Sequence, residues 1–364
     1  MSFNHRSKLV KRIDRCWVLS SLACATAGVI VGIGWAQQNR SLRNEPSQME
    51  IIPIRGNIYM LAGAGSNITI SAGMDGILLV DTGAAEVSDR TLAEIQRLSR
   101  ELSTFGQPVK RNEGGGGSGS VLTSYVPPKP IRYIINTSSL PEHTGGNVKL
   151  AEAGKTFTGG NVAGDLGDIG EGAAVLSHEN ALQRLSAAKI PIRGQPTETY
   201  FGGQMKLSHH FNGEGIQLFH VPNAITDGDS FVVFRSSDVI SAGDIFSFTS
   251  YPPIDLAKGG SIQGVLAGLN RIVDLVIPEF RSEGGTFVIP GHGRICDTAD
   301  LAYYRDMVTI VRDRVQDLIK KGMTLEQVKA AKPTEDWDGR FGQLRSTTPD
   351  MFVEAVYKGL SAKK

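Results

Sequence analysis

Residues 136–147, Asn136-Thr137-Ser138-Ser139-Leu140-Pro141-Glu142-His143-Thr144-Gly145-Gly146-Asn147, leave an apolar strand that starts at Ile131 and set a carboxylate beside an imidazole just before a glycine pair. This is the frame of a metal-binding loop carried at a strand end. Working outward, four more strings stand in order along the chain. Upstream, Gly56 to Gly83 (GNIYMLAGAGSNITISAGMDGILLVDTG) reads as an antiparallel meander that ends in the turn Leu79-Val80-Asp81-Thr82-Gly83. Downstream come Phe219 to Phe234 (FHVPNAITDGDSFVVF), then Ser241 to Phe246 (SAGDIF) with Asp244, and then Val288 to Gly293 (VIPGHG) with His292.

Taken together, the five strings resemble the metallo-β-lactamase-fold signature, in which a strand runs into THxHxDHxGGN and later segments supply the remaining ligands. The likeness spans roughly residues 51–297. It implies an α/β fold, an αββα sandwich of the metallo-β-lactamase type with its site at the strand-end loops. It also implies a frame for two metals: three histidines for the first, an aspartate and two histidines for the second, and one bridging aspartate. Carried over position by position, the first set becomes Ser138, Leu140 and Ile225, the second becomes Glu142, His143 and His292, and the bridge is Asp244.

None of the first three residues is an imidazole, and two are hydrocarbons that fill the vacated volume. Random loss among the six unshared positions would fall on one side about one time in ten, so the asymmetry points to a second half-site kept as a unit. Two imidazoles with one or two carboxylates suffice for one Zn²⁺, Fe²⁺ or Mn²⁺ with a position open to water. Such an ion lowers the pKa of water to about 7 and polarises a carbonyl or phosphoryl oxygen. The resemblance therefore implies at most a mononuclear hydrolase acting on a small-molecule ester, amide or thioester. His143, Asp244 and His292 would be its ligands, and Glu142 a fourth ligand or general base. A non-catalytic module that keeps the fold and binds a ligand or partner is the competing expectation.

Other polar residues carry weaker signals. His178 stands at the start of a helix-like run and reads as a cap or packing residue, and His220 reads as a satisfied structural histidine. His209 and His210 are neighbours on an expected strand and would face opposite sides of it. Ser138 or Ser139 as a nucleophile would need a positioned base, for which His143 is the sequence-local candidate. Asp81 is expected to shape its loop by bonding backbone amides, and Asp227-Gly228-Asp229 to form a turn.

The rest of the chain supplies a frame. Val87 to Leu102 has helical spacing of Leu92, Ile95, Leu98 and Leu102. Glu113 to Ser120 (EGGGGSGS) reads as an exposed insertion, since glycine offers no side chain to bury. Strands are expected around Gly203–Leu207, Gly215–His220, Ser230–Phe234, Val239–Ser241 and Thr286–Pro290, with a helix from Ser261 to about Leu275. A long amphipathic helix from about Ala299 to Lys321 is capped by Asp297 or Thr298, Thr324 and Gln327 form a capping box, and Pro349 opens a last helix to about Leu360. The globular domain is read as 51–322 and the rest, 323–364, as a helical packing tail.

Of 364 residues, the first 36 hold five Lys or Arg against one acid, followed by an apolar run from Trp17 to Ala36. This reads as an export signal, with Gly34 and Ala36 as small residues before a cleavage point. Left uncleaved, the run is long enough to anchor the chain in a membrane, for which ~20 apolar residues suffice. Residues 37–50 (QQNRSLRNEPSQME) read as a polar linker. Beyond residue 36 there are 33 basic and 36 acidic residues, which leaves no nucleic-acid footprint, and Cys296 is the one cysteine, which excludes an internal disulfide. The protein is thus expected to be exported, and N-terminal sequencing of the purified protein should return a start near Gln37. Recovery of the chain with Met1 intact in the soluble cytoplasm would exclude both cleavage and anchoring.

Overall fold

Alternation along each strand decides which residues face which layer, because successive side chains point to opposite sides of a sheet. In β4 (Gly76–Val80), Leu78 and Val80 face one way and Ile77 and Leu79 the other, and all four are buried. A strand apolar on both faces must be covered on both. β10 (Ser230–Phe234) repeats the pattern, with Val232 and Phe234 on one face and Phe231 and Val233 on the other. These patterns require two sheets packed together with helices outside each.

The computed structural model, which describes residues 48–105, 129–155, 172–276, 284–343 and 347–362, has this architecture. The segment read as an export signal and the glycine-rich insertion lie outside the described residues. The first sheet holds β1 (Glu50–Arg55), β2 (Ile58–Ala64), β3 (Ser66–Gly73), β4, β5 (Ile131–Ile135), β6 (Ala174–His178) and β7 (Glu198–Tyr200) in that order. β1 to β4 are antiparallel neighbours, and β4 to β7 are parallel. The second sheet has the order β12 (Phe287–Ile289), β11 (Val239–Ser241), β10, β9 (Ile216–His220), β8 (Gln204–Lys206), and only the β11–β12 pair is parallel.

Ile58, Met60, Leu78, Val80 and Ile135 of the first sheet meet Leu218, Val232, Phe234, Val239 and Ile289 of the second. The outer face of the first sheet packs on α1 (Ser88–Phe105) through Ile95 and Leu98, and on Leu150 of α3 (Asn147–Glu152), which follows the short α2 (Pro141–Thr144). α4 (Glu179–Ala187) leads from β6 towards β7. The outer face of the second sheet is covered by α5 (Ile262–Val276) and α6 (Thr298–Lys320).

The C-terminal helices α7 (Leu325–Ala330), α8 (Glu335–Phe341) and α9 (Pro349–Ser361) join this same cluster through Val328, Phe341, Phe352, Val353 and Val356. The Asp297 and Thr324 capping boxes both form, and Thr348 caps α9 ahead of Pro349. Among the described residues no helix is long and apolar enough to cross a membrane.

Several local expectations need correction. β1 begins at Glu50, inside the segment read as linker, since Ile52 and Ile54 pack between the sheets. α8 was not expected from Glu335-Asp336-Trp337-Asp338-Gly339-Arg340-Phe341, a polar run whose one buried anchor is Phe341. β8 ends at Lys206, so His209 and His210 lie beyond it in an exposed bend rather than on a strand.

Phe352 is 1 % exposed and stacks on Tyr251 at 4.9 Å between ring centroids, while the Tyr251 hydroxyl donates to Asp338 at 2.8 Å. Phe352→Ala should therefore destabilise the whole domain, by about 3–5 kcal/mol as for other buried aromatic truncations. Urea unfolding checks this, and a loss below about 1 kcal/mol would show that α9 is peripheral to the core.

Candidate metal centre

The loops that leave the two parallel strand pairs, β4–β5 and β11–β12, meet at one end of the sandwich. β4 leads into Asp81, β5 into residues 136–147, β11 into Asp244 on a 3₁₀ turn (Gly243–Ile245), and β12 into His292. Asn67 fastens the loops across the two sheets: its side-chain amide donates to the carbonyls of Pro290 and Gly293, both at 2.9 Å, and its N–H donates to Gly291 at 2.8 Å. Thr69 adds a hydroxyl bond to Ser241 at 2.9 Å, and the Ser230 N–H donates to the Thr137 carbonyl at 2.7 Å. Asn147 and Asn136 exchange side-chain amide bonds at 2.8 and 3.0 Å, and Thr82 donates to Asn147 at 2.9 Å, which secures the end of the ligand loop.

Four residues singled out in the sequence, Glu142, His143, Asp244 and His292, come together here, each offering a ligand atom within 4.8 Å of the others. His143 is fully buried and Asp244 3 % exposed, while Glu142 and His292 are half-buried. His143 Nε2 lies 3.1 Å from Asp244 Oδ2, and His292 Nε2 lies 3.4 Å from Asp244 Oδ1.

Despite these short distances, His143 Nε2 and both Asp244 oxygens have no aligned hydrogen-bond partner. Donor atoms about 2.0–2.1 Å from a tetrahedral zinc stand roughly 3.3–3.4 Å apart, so the observed separations suit atoms that converge on a common point between them. Buried polar atoms without partners are uncommon and need a cause. The donor set therefore fits a divalent cation, and Glu142 falls within the group despite its additional methylene.

Asp81 does more than shape a loop. It sits at φ +67°, accepts from the Thr137 N–H at 2.8 Å and hydroxyl at 2.7 Å, and receives His143 Nδ1 at 2.7 Å. A carboxylate on Nδ1 fixes a proton there and orients the ring, so that Nε2 faces Asp244 with a proton of its own, which it would give up to bind an ion through its lone pair. Burial works against charge on His143, but Asp244 and Asp81 outweigh it and hold its pKa well above the ordinary histidine value. Burial would likewise raise Asp244, yet His143 and His292 keep it below the usual carboxylate range. Gly291 packs so tightly that a Cβ there would fall 2.2 Å from Asp244 Oδ1.

The first-site positions look different. Ile225 is fully buried, and the partly buried Leu140 packs against the same cluster, which holds the C-terminal helices. The Ser138 hydroxyl accepts from the Leu140 N–H at 3.2 Å. Neither Ser138 nor Ser139 bonds the His143 ring among the described residues, so a serine nucleophile has no base there.

His178 caps α4 by accepting from the Asn180 N–H, and its ring stacks on His220 at 3.6 Å. His220 is tied to the Asp229 carbonyl at 2.9 Å. Burial lowers the pKa of both rings, His178 to about 4. Asp229 accepts from the Thr226 N–H and hydroxyl within its turn, and burial pushes its pKa up to about 7.

No protein-family profile matches the chain, and no characterised protein matches it by sequence. Among solved structures, it is similar to the stereoselective inverting sec-alkylsulfatase Pisa1 from Pseudomonas sp., with 14 % identity and a TM-score of 0.57 over 85 % of this chain and 50 % of that one. A double mutant of the same sulfatase gives 0.58. The chain has the metallo-β-lactamase fold. It spans half the length of the sulfatase. The DIM-1 metallo-β-lactamase also matches, with 15 % identity and a TM-score of 0.49 over 73 % of this chain and 99 % of that one. Within this metallo-β-lactamase fold, the sequence motifs led to the four clustered residues but gave no hint of the Asn67 fastening or the Asp81–His143 bond.

Asp81→Asn keeps a residue that tolerates positive φ while removing the negative charge and one of the two acceptor oxygens shared between Thr137 and His143 Nδ1. It should weaken zinc affinity about 10–100-fold, the usual penalty for losing an orienting carboxylate. Competition with a chromogenic chelator measures this, and unchanged affinity would reduce Asp81 to a loop-shaping role.

Proposed function

We propose that the protein is a mononuclear metal-dependent hydrolase of an ester, amide or thioester, with His143, Asp244 and His292 holding one divalent ion and Glu142 completing the set or acting as base. The observation that carries this reading is the buried convergence of His143 Nε2 and the Asp244 carboxylate, 3.1 Å apart and without an aligned hydrogen bond. When bound, the ion supplies Lewis-acid polarisation of the scissile carbonyl or ester oxygen.

The chain's own residues do the remaining work. Asp81 fixes the His143 tautomer, and Asp244 brings a negative charge that outlasts burial because two imidazoles flank it. Leu140 and Ile225 contribute hydrocarbon where the resemblance would place ligands of a first metal. Glu142 is half-buried with its carbonyl anchored by the Ser66 hydroxyl at 2.7 Å, which leaves the carboxylate to reach a proton on the attacking water. Zinc is the ion the donor set favours, with iron or manganese as chemical alternatives. Export, with residues 17–36 as signal or anchor, belongs to the same proposal.

One observation favours a second reading, a ligand- or partner-binding module without catalysis: the first-metal positions are occupied by Ser138, Leu140 and Ile225. Metal analysis separates the two. The mature protein is expected to bind at most one zinc per chain, with binding abolished in His143→Ala and in His292→Ala. Protein that stays metal-free after dialysis against zinc, iron or manganese would reject the hydrolase and leave the binding module.

A further inference from the structure

Phe248 stands directly beside the His292 loop. Its N–H donates to the His292 carbonyl at 2.9 Å, and a Cβ on Gly293 would fall 2.7 Å from the Phe248 Cβ. Two guanidiniums rest over the Phe248 ring, Arg294 at 4.2 Å and Arg340 at 4.4 Å from its centroid.

The two cations differ in what matches their charge. Arg294 is paired with Asp300 at 2.8 Å and donates to the Ile295 carbonyl at 2.7 Å. Arg340, from α8, is exposed and lies over the rings of Phe248, Tyr303 (4.9 Å) and Phe341 (5.1 Å), with no ion pair to any described residue. Contact with rings restrains a guanidinium without using its N–H donors, which remain available to a bidentate oxyanion. His292 and Glu142 are the less buried pair among the four clustered residues, so the cluster opens on a side that includes His292.

We propose that Arg340, backed by Phe248, is a specificity-determining residue that receives an anionic group of the substrate at the His292 rim. The substrate class becomes an ester, amide or thioester that also carries a carboxylate, sulfate or phosphate. The catalytic meaning rests on the hydrolase reading, whereas the anion contact itself requires no metal.

The test uses zinc-treated mature protein and sodium sulfate as probe, by titration calorimetry at constant ionic strength. Zinc content and thermal midpoint are measured for each variant. Wild type is expected to bind sulfate, Arg340→Gln to bind it about tenfold more weakly, as befits one lost charge-assisted bond, and Arg340→Lys to fall between, all with equal zinc content. Kinetically, Arg340→Gln should raise KM for mono(4-nitrophenyl) succinate about tenfold, with kcat kept and KM for 4-nitrophenyl butyrate unchanged. Absence of sulfate binding by wild type, equal affinity in a folded Arg340→Gln, or equal KM effects on the two esters would overturn the proposal. Sulfate binding lost with Arg340 in protein that takes up no zinc would support the anion site and overturn the hydrolase.

Discussion

A carboxylate almost sealed from water, with no hydrogen bond to either oxygen, is the constraint around which the site end of the molecule is arranged. An ion buried alone costs several kcal/mol even after relaxation, so Asp244 cannot keep its charge unless opposite charge stands close on fixed supports. His143 and His292 provide this from two different loops. Asp81, itself 1 % exposed, adds a second buried carboxylate behind His143. Three carboxylates, Asp81, Asp244 and Glu142, gathered around two imidazoles leave the cluster short of positive charge. A divalent cation is the complement that such a cluster favours.

Holding the cluster to tenths of an ångström requires that two sheets keep their relative position, and apolar packing between sheets does not fix position so finely. The directional bonds do. Asn67 in the first sheet grips the backbone on both sides of His292, and the Thr69 hydroxyl reaches Ser241 just before the Asp244 turn. These contacts explain why a strand far in sequence from any ligand carries buried polar side chains on an otherwise apolar ribbon. They belong to the geometry of the site as much as the four clustered residues do.

Most of the architecture was legible because it rests on short-range patterns. The alternation in Leu78 to Val80, the turn at Leu79 to Gly83 and the caps at Asp297, Thr324 and Thr348 each express a local preference that the fold keeps. Glu142, His143, Asp244 and His292 were legible because their strings occur in a set order. What escaped was long-range. Nothing near Asn67 announces a partner more than 220 residues away, and Asp81 looked like a turn residue because its bond to His143 crosses 62 positions. α8 was missed because its amphipathic stripe is reduced to one anchor, Phe341, whose partners Tyr251 and Tyr304 come from other elements.

The placing of Ile225 inside, and of the partly buried Leu140 against, the cluster that holds α9 has a consequence for engineering this chain. Where a lost ligand leaves an open cavity, one substitution can return the function. Here Ile225 belongs to the hydrophobic interior and Leu140 packs against it, so an imidazole at either position would displace hydrocarbon and bring in polar nitrogen atoms with no partners of their own. Burial of an unpaired polar group costs on the order of 1–3 kcal/mol, and three at once approach the net stability of an ordinary domain. On the proposed reading, in which a first half-site has been given up, the change works as a ratchet: the way to two metals runs through intermediates that are less folded than either end.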